Sequence, residues 1–226
     1  MIEKPKKNKK RRRKVSKKVE LLKAVLILII IAGVIRLFIY SPYKVSDSSM
    51  LNSLYPGDYL LSSKISYRFG SPKAGDLIVF AHPFRQGESL ISRIIATEGQ
   101  KVEISGKTII VDNQPINEYP NIQHSDYRIL PPDFSDRDYM PAIMVPPGHV
   151  FVLSDNRDQT EDSRNYGAVD VNFIEGKATF VYFSWAPDPN APKMRSPYIT
   201  PAIQIFFYNL INFSNRVRWD RLFTSS

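Results

Sequence analysis

Two polar segments of the sequence hold side chains whose types and spacing could carry chemistry. Residues 46–50 (SDSSM) place three serines around one aspartate, although most serines in a polar turn only cap the turn or form local hydrogen bonds. Residues 154–167 crowd Asp, Asn and Arg side chains directly after the apolar run 149–153 (HVFVL). Charges beside a core are costly unless they pair, so this segment is either a paired network or a solvated loop. It lacks the glycine and the terminal glutamate of a calcium loop at the usual spacing.

The excess positive charge of the chain lies entirely in residues 1–20. That run holds eleven Lys and Arg against two Glu, whereas the other 206 residues hold 20 basic and 20 acidic side chains. A basic run could bind nucleic acid. Here it precedes residues 21–40, an apolar stretch of about the 20 residues that cross a bilayer core, and this order is typical of the cytoplasmic end of a membrane anchor. We therefore predict membrane lipids, and no nucleic acid, as partners of this end of the chain.

A cleavable signal peptide is the alternative interpretation of residues 21–40. Its apolar core would be shorter, and small residues would mark a cleavage site, whereas this sequence continues with Ser41-Pro42-Tyr43. We predict a retained anchor in the cytoplasmic (inner) membrane, with the amino terminus inside and residues 41–226 on the outer or periplasmic face. The chain has no cysteine, which excludes thiol chemistry and disulfides, and we expect no cofactor and no metal.

Residues 41–185 contain short runs of β-branched and aromatic residues separated by turn signals such as Pro56-Gly57. This spacing predicts a mostly-β domain of antiparallel sheets, either a barrel or a sandwich. Residues 112–147 are rich in Pro, Asp, Asn and Tyr, and we expect them to form a small inserted cap. Residues 186–226 are predicted to form a C-terminal tail, in which the helix-like spacing of 199–213 suits either packing on a core or contact with a membrane surface.

The order and spacing of several short motifs resemble the type I signal peptidase family. The family's anchor exit, R-x-F-x-x-x-P, is matched by Arg36, Phe38 and Pro42. Four further motifs of the family are matched in order by residues 47–54, 74–80, 154–164 and 218–221. The resemblance implies a membrane-bound serine endopeptidase of the Ser/Lys type, which removes signal peptides from exported preproteins.

In this family a serine hydroxyl attacks the scissile carbonyl, and a lysine kept neutral by burial acts as the general base. The signal peptide binds as an added strand. The resemblance makes Ser49, directly before Met50, the nucleophile. It also implies signal peptides as partners, with the export machinery or another peptidase as further candidates.

The sequence departs from the family at the positions that carry the chemistry. The family's base motif aligns without gaps on residues 90–102, where Arg93 matches the family and Ser92 occupies the lysine position. A serine hydroxyl cannot take the proton from Ser49 near neutral pH. Asp47 stands where the family has serine or glycine beside the oxyanion, and a carboxylate there repels the developing negative charge. Two interpretations follow: an active signal peptidase, or an impaired member that binds signal peptides or a partner peptidase.

The resemblance also assigns a supporting network to the base. Asp158, Asp162 and Arg164 match that network, and Thr160 keeps the hydroxyl that binds the lysine amine in the family. Among the other residues that could replace the base, His82 is the least implausible candidate. His149 is predicted to be structural. The lysines at positions 73, 101 and 107 lie off the base position.

Overall fold

The structure is a computed structural model that describes residues 17–158 and 161–225. Thr160, one of the predicted supporting residues, lies outside the described residues. The chain forms two compact units, which divide between Phe38 and Ile39.

The described part of the first unit is a single, mainly apolar helix. Helix α1 (Lys17–Val34) continues as a π-helical turn over Ile35–Ile39. Together they make 23 residues, about 34 Å at the α-helical rise, which is enough to cross the hydrocarbon core of a bilayer. None of the α1 side chains is buried. From Ala24 to Val34 the helix is apolar on every side. A helix of this kind with no buried side chain suits a lipid environment.

The second unit is built on two sheets in which every strand pairing is antiparallel. The larger sheet has the order β1-β2-β11-β3-β4-β9-β10, with β12 pairing β11, and the smaller has the order β7-β6-β5-β8. The strands are β1 Tyr40–Lys44, β2 Asp58–Ser63, β3 Leu77–Ala81, β4 Ser89–Thr97, β5 Lys101–Ser105, β6 Thr108–Val111, β7 Gln114–Pro115, β8 Tyr139–Met144, β9 His149–Leu153, β10 Val169–Asp170, β11 Ile174–Ser184 and β12 Thr224–Ser225. The predicted fold class, mostly antiparallel β with one N-terminal apolar helix, is confirmed.

Strand β3 shows how alternation builds the core. Successive side chains of a strand point to opposite faces, so Val79 joins one apolar cluster with Met50 and Ile91, while Phe80 joins another with Ile94. A register shift in the pairing of β4 with β9 then turns the end of β4 towards a third cluster beside the smaller sheet. The sheet therefore has apolar packing on both faces at the strands that lie nearest the candidate site.

The remaining elements are short, apart from one helix near the C-terminus. They are α2 (Ser163–Tyr166), α3 (Ile199–Ile211), α4 (Phe213–Arg216) and 3-10 turns at Val171–Phe173 and Trp219–Arg221. The end of the chain is tied to β2 by the fully buried Asp58, which accepts hydrogen bonds from Arg221 Nη2 and Ser184 Oγ, both at 2.6 Å. The predicted boundaries at residues 41, 112, 147 and 185 stay predictions.

Candidate active site

Ser49 lies in the loop between β1 and β2, where the next side chain anchors it. Met50 is fully buried against Val79 and Ile91, so the chain cannot rotate without losing that contact. The carbonyl of Ser49 accepts a hydrogen bond from the backbone N–H of Asn156 at 2.9 Å. The loop is therefore held between the sheet and residues 154–167, which we call the acidic segment. The Ser49 side chain stays partly exposed.

A pocket of about 280 Å³ opens at Ser49. Its lining comes from three parts of the chain: Asp47, Ser48, Ser49, Arg85, Glu88, Leu90 and Glu161. Arg85 forms ion pairs with Glu161 at 2.9 Å and with Glu88 at 3.2 Å across this surface. Within the described part of the chain, no lysine or histidine lines the pocket.

Ser92 lies on the same face of β4 as Leu90, because strand residues two apart point the same way. It stands opposite Ile78 of β3 and is only 2% exposed. Ile78, Leu90 and Ile94 belong to one apolar cluster. The predicted base position therefore lies in an apolar environment, on the same strand face as Leu90, which lines the pocket that contains Ser49. No hydrogen bond joins the Ser49 and Ser92 side chains, both of which are described.

Tyr166 is the residue of this environment that sequence reasoning missed. Burial raises the pKa of its phenol, the charge of Asp162 raises it further, and the nearby Ser92 hydroxyl lowers it by less. The Tyr166 oxygen is buried, and its contact with Ser92 does not reach hydrogen-bond geometry. A phenol whose pKa is above 10 is protonated at neutral pH, so Tyr166 cannot replace the missing base.

The carboxylate of Asp47 binds the backbone N–H of Ser49, the predicted nucleophile. Its Oδ1 accepts a hydrogen bond from the N–H of Ser49 at 2.7 Å. In serine hydrolases the N–H of the nucleophile itself commonly donates to the oxyanion of the tetrahedral intermediate. A carboxylate oxygen at this distance both takes up that donor and places negative charge where more would develop.

Arg93 connects β4 to the loop that carries Ser49. Its guanidinium forms a bidentate pair with Asp155, with Nε–Oδ1 at 2.8 Å and Nη2–Oδ2 at 2.6 Å. Asp155 is fully buried and also accepts a hydrogen bond from Ser53 Oγ. The ring of Tyr119 lies 4.6 Å from the guanidinium carbon. Arg93 matches the family motif in the sequence, but nothing there indicated its partners Asp155 and Ser53.

Asp162 and Arg164 form a buried pair that shapes the acidic segment. Asp162 caps α2 by accepting from the N–H of Arg164, and its Oδ2 lies 2.7 Å from Arg164 Nη2. Arg164 also donates to the carbonyls of Arg137 and Arg157. With all these donors used inside the segment, the pair braces the fold and does not line the pocket at Ser49.

Asp158 faces a lysine, but not one near Ser49. Its carboxylate lies 2.7 Å from Lys107 Nζ and accepts the N–H of Asp126 at 2.8 Å. Burial alone would raise the pKa of Asp158, but the hydrogen bonds from Lys107 and Asp126 outweigh burial and lower it. Asp158 is therefore ionised at neutral pH, and it holds the Lys107 ammonium by a hydrogen bond.

His82 lies in the turn after β3. Its Nδ1 accepts the backbone N–H groups of Phe84 at 3.0 Å and Arg85 at 3.1 Å. The lone pair of Nδ1 is therefore used within the turn, and His82 does not line the pocket at Ser49. His149 lies at the start of β9, where its Nδ1 contacts the carbonyl of Pro147 at 2.9 Å.

Comparison with known proteins identifies the family of this chain. Residues 18–185 match the protein-family model described as "Signal peptidase, peptidase S26". Because this match covers well over half of the chain, the chain belongs to the signal peptidase family, peptidase S26, a family of serine endopeptidases. The predicted resemblance is thereby confirmed.

Two relatives of known sequence support the same assignment, and a crystal structure is also similar to part of the chain. A probable signal peptidase I-1 of Synechocystis sp. is 34% identical over 165 residues, covering 70% of this chain and 79% of that protein. Signal peptidase I of Bacillus caldolyticus is 32% identical over 157 residues, covering 68% of this chain and 85% of that protein. The crystal structure of a signal peptidase I from Enterococcus faecalis is 26% identical with a TM-score of 0.36, covering 47% of this chain and 95% of that one.

Proposed function

We propose that this protein is a membrane-anchored member of the family that binds signal peptides but cleaves them poorly through Ser49. The observation that carries the proposal is the combination of Ser92 at the base position with Asp47 on the Ser49 N–H. The Ser49 hydroxyl then lacks a proton acceptor, and the Ser49 N–H is not free to donate to the oxyanion. Each deficiency acts on the transition state, so together they lower the rate without removing the binding surface.

The charged groups of the pocket do not replace the base. Arg85 carries a guanidinium, which donates hydrogen bonds and has no acceptor lone pair. Glu88 and Glu161 are each engaged by Arg85, and neither accepts a hydrogen bond from Ser49, which is likewise a described residue. Nucleophilic serines elsewhere depend on a base within hydrogen-bond reach, and the described residues of this pocket offer none.

The edge of β4 supports peptide binding. Strand β4 pairs with β3 over Leu77–Ala81, but it pairs with β9 only from Arg93 onwards. On that second side, residues 89–92 pair with no strand among residues 17–158 and 161–225, and Leu90 lines the pocket beside Ser49. An extended peptide can add to such an edge through backbone hydrogen bonds. The relatives named signal peptidase indicate that this peptide is a signal peptide.

The first prediction separates binding from cleavage. We expect full-length protein in detergent micelles to raise the fluorescence anisotropy of a labelled signal peptide, but to cleave it at a rate barely above that of Ser49→Ala. Ser48→Ala, which removes the neighbouring hydroxyl from the same pocket, is the matched control and should behave like the wild type. Rapid wild-type cleavage that Ser49→Ala abolishes and Ser48→Ala preserves would show an active peptidase instead.

We also propose the orientation of the chain, with the amino terminus inside and the β domain outside. The eleven basic residues among residues 1–20, ahead of the apolar stretch 21–40, support it, because basic residues concentrate on the cytoplasmic side of membrane anchors.

The orientation predicts the outcome of proteolysis on intact spheroplasts of cells producing the full chain. Protease added outside should digest the β domain and leave an amino-terminal tag on a short membrane-bound fragment. Permeabilised cells, in which the tag is accessible, are the control. Loss of the tag before permeabilisation would contradict this orientation.

A further inference from the structure

The C-terminal end of helix α3 turns polar side chains towards the protein. Tyr208 and Asn209 are among the less exposed residues of α3, and so is Asn212, which directly follows it. Tyr208 Oη donates to the carboxylate of Asp188, and Asn209 Oδ1 accepts from Arg216 Nη1 at 2.7 Å. The helix is thus attached to the domain through hydrogen bonds and not through an apolar core.

The opposite side of α3 is apolar and exposed. Its six large apolar residues recur three to four residues apart and so form a single face. They are Ile199 (77% exposed), Ile203 (52%), Phe206 (62%), Phe207 (54%), Leu210 (60%) and Ile211 (76%). No residue of α3 is charged. A surface helix of a protein in water has the reverse arrangement, with its apolar face inward.

Length and flanking residues favour a bilayer surface as the occupant of this face. The 13 residues of α3 span about 20 Å, which is too short to cross a hydrocarbon core of about 30 Å. Between Asp188 and Asp220 the sequence has four basic residues and no acidic one. Arg216 and Arg218 are hydrogen-bonded within the domain, whereas Lys193 and Arg195 are exposed. Basic residues beside an apolar helix are attracted to anionic headgroups.

Aromatic residues at the ends of the helical segment point to the same environment. Tyr198, directly before α3, is 66% exposed, and Trp219, just beyond α4, is 58% exposed. Tyr and Trp concentrate at the headgroup level of membranes, where one end of the ring system is wet and the other apolar. The segment also lies outside the residues matched by the family model, which end at 185.

We propose that the outward face of α3 lies in the headgroup region of an anionic bilayer, parallel to the surface. The face is apolar, uncharged and flanked by basic and aromatic residues, which are the properties of interfacial helices. The chain already carries a helix long and apolar enough to cross a membrane, so a bilayer is within reach of the domain. The inference goes beyond the proposed function and does not depend on whether Ser49 cleaves peptides.

The absence of cysteine allows a single fluorescent label to test this. Full-length Leu210→Cys is labelled with an environment-sensitive dye and reconstituted in vesicles that contain phosphatidylglycerol. Its emission maximum should lie at a shorter wavelength than that of the same labelled protein in denaturant without detergent. Doxyl-labelled lipids should quench it. Ser105→Cys, at an exposed position of β5, is the matched control and should show neither effect. Adding Phe206→Asp to the Leu210→Cys protein should reduce the quenching.

Two results would overturn the proposal. One is emission from position 210 that is as insensitive to doxyl lipids as emission from position 105. The other is excimer emission from pyrene attached at position 210 without any lipid quenching, which would show that a second copy of the chain covers α3.

Discussion

Signal-peptide cleavage by the full-length protein is expected to rise by about 10⁴-fold or more when Ser92→Lys and Asp47→Ser are combined. Loss of a base of the catalytic-triad type typically costs about 10⁴- to 10⁶-fold in rate, and loss of one oxyanion donor about 10²- to 10³-fold. The two substitutions restore these functions to the two positions at which the chain departs from its family.

The environment of Ser92 suits a neutral lysine. The position is 2% exposed and lies in the apolar cluster of Ile78, Leu90 and Ile94, and desolvation lowers the pKa of a lysine. The unpartnered Tyr166 hydroxyl nearby offers the new amine a hydrogen-bond partner. The added methylenes cost about 1–3 kcal/mol of overpacking, which is why the gain should stay below that of a native site.

Asp47 is expected to limit the single substitution. A carboxylate near the new lysine favours its charged form, and it also occupies the Ser49 N–H. Replacing Asp47 by serine removes the charge and frees that N–H. The gain of the double variant should therefore exceed the product of the gains of the two single variants.

The measurement is the cleavage rate of one labelled signal peptide by the wild type, both single variants and the double variant in the same micelles. Ser92→Met, which has an apolar side chain of similar length and no amine, is the matched control and should stay at the wild-type rate. Adding Ser49→Ala to the double variant should abolish the gain. Equal rates for Ser92→Lys and Ser92→Met would contradict the assignment of position 92 as the base position.

Arg93→Met is expected to lower the stability of the β domain by about 3–5 kcal/mol, the usual cost of removing one partner of a buried ion pair. Asp155 is fully buried, and Arg93 supplies two of its hydrogen bonds. Without the guanidinium, a carboxylate stays in the core with the Ser53 hydroxyl as its remaining side-chain donor. For a domain of this size the loss corresponds to a fall in Tm of roughly 6–20 °C.

Thermal unfolding followed by circular dichroism tests the expectation. Removing both charges with Arg93→Met and Asp155→Leu should recover part of the loss, because the isolated carboxylate is then gone. Arg85→Met is the matched control: Arg85 pairs with Glu161 at the surface, with its side chain 51% exposed, and such pairs contribute about 0–1 kcal/mol. A Tm change for Arg93→Met no larger than that for Arg85→Met would contradict a structural role for the Arg93–Asp155 pair.

The sequence by itself determined the fold class and several candidate residues, because these depend on local patterns. An apolar stretch of about 20 residues predicts a spanning helix wherever it occurs. Alternating and clustered β-branched residues predict strands without reference to their partners. The gap-free spacing around Arg93 located Ser92 within β4, and alternation alone put Ser92 and Leu90 on one face.

Only the tertiary structure decided which side chains from distant parts of the sequence come into contact. Alternation indicates which side chains share a face of a strand, but not which element packs against the face. Arg93 and Asp155 lie 62 residues apart in sequence, and Arg93 and Ser53 lie 40 apart, so sheet packing alone brings them together. The same holds for Tyr166 beside Ser92. The sequence also left undetermined which way the apolar face of α3 points. An apolar stripe on a helix suits burial in a protein core and contact with a bilayer surface equally well.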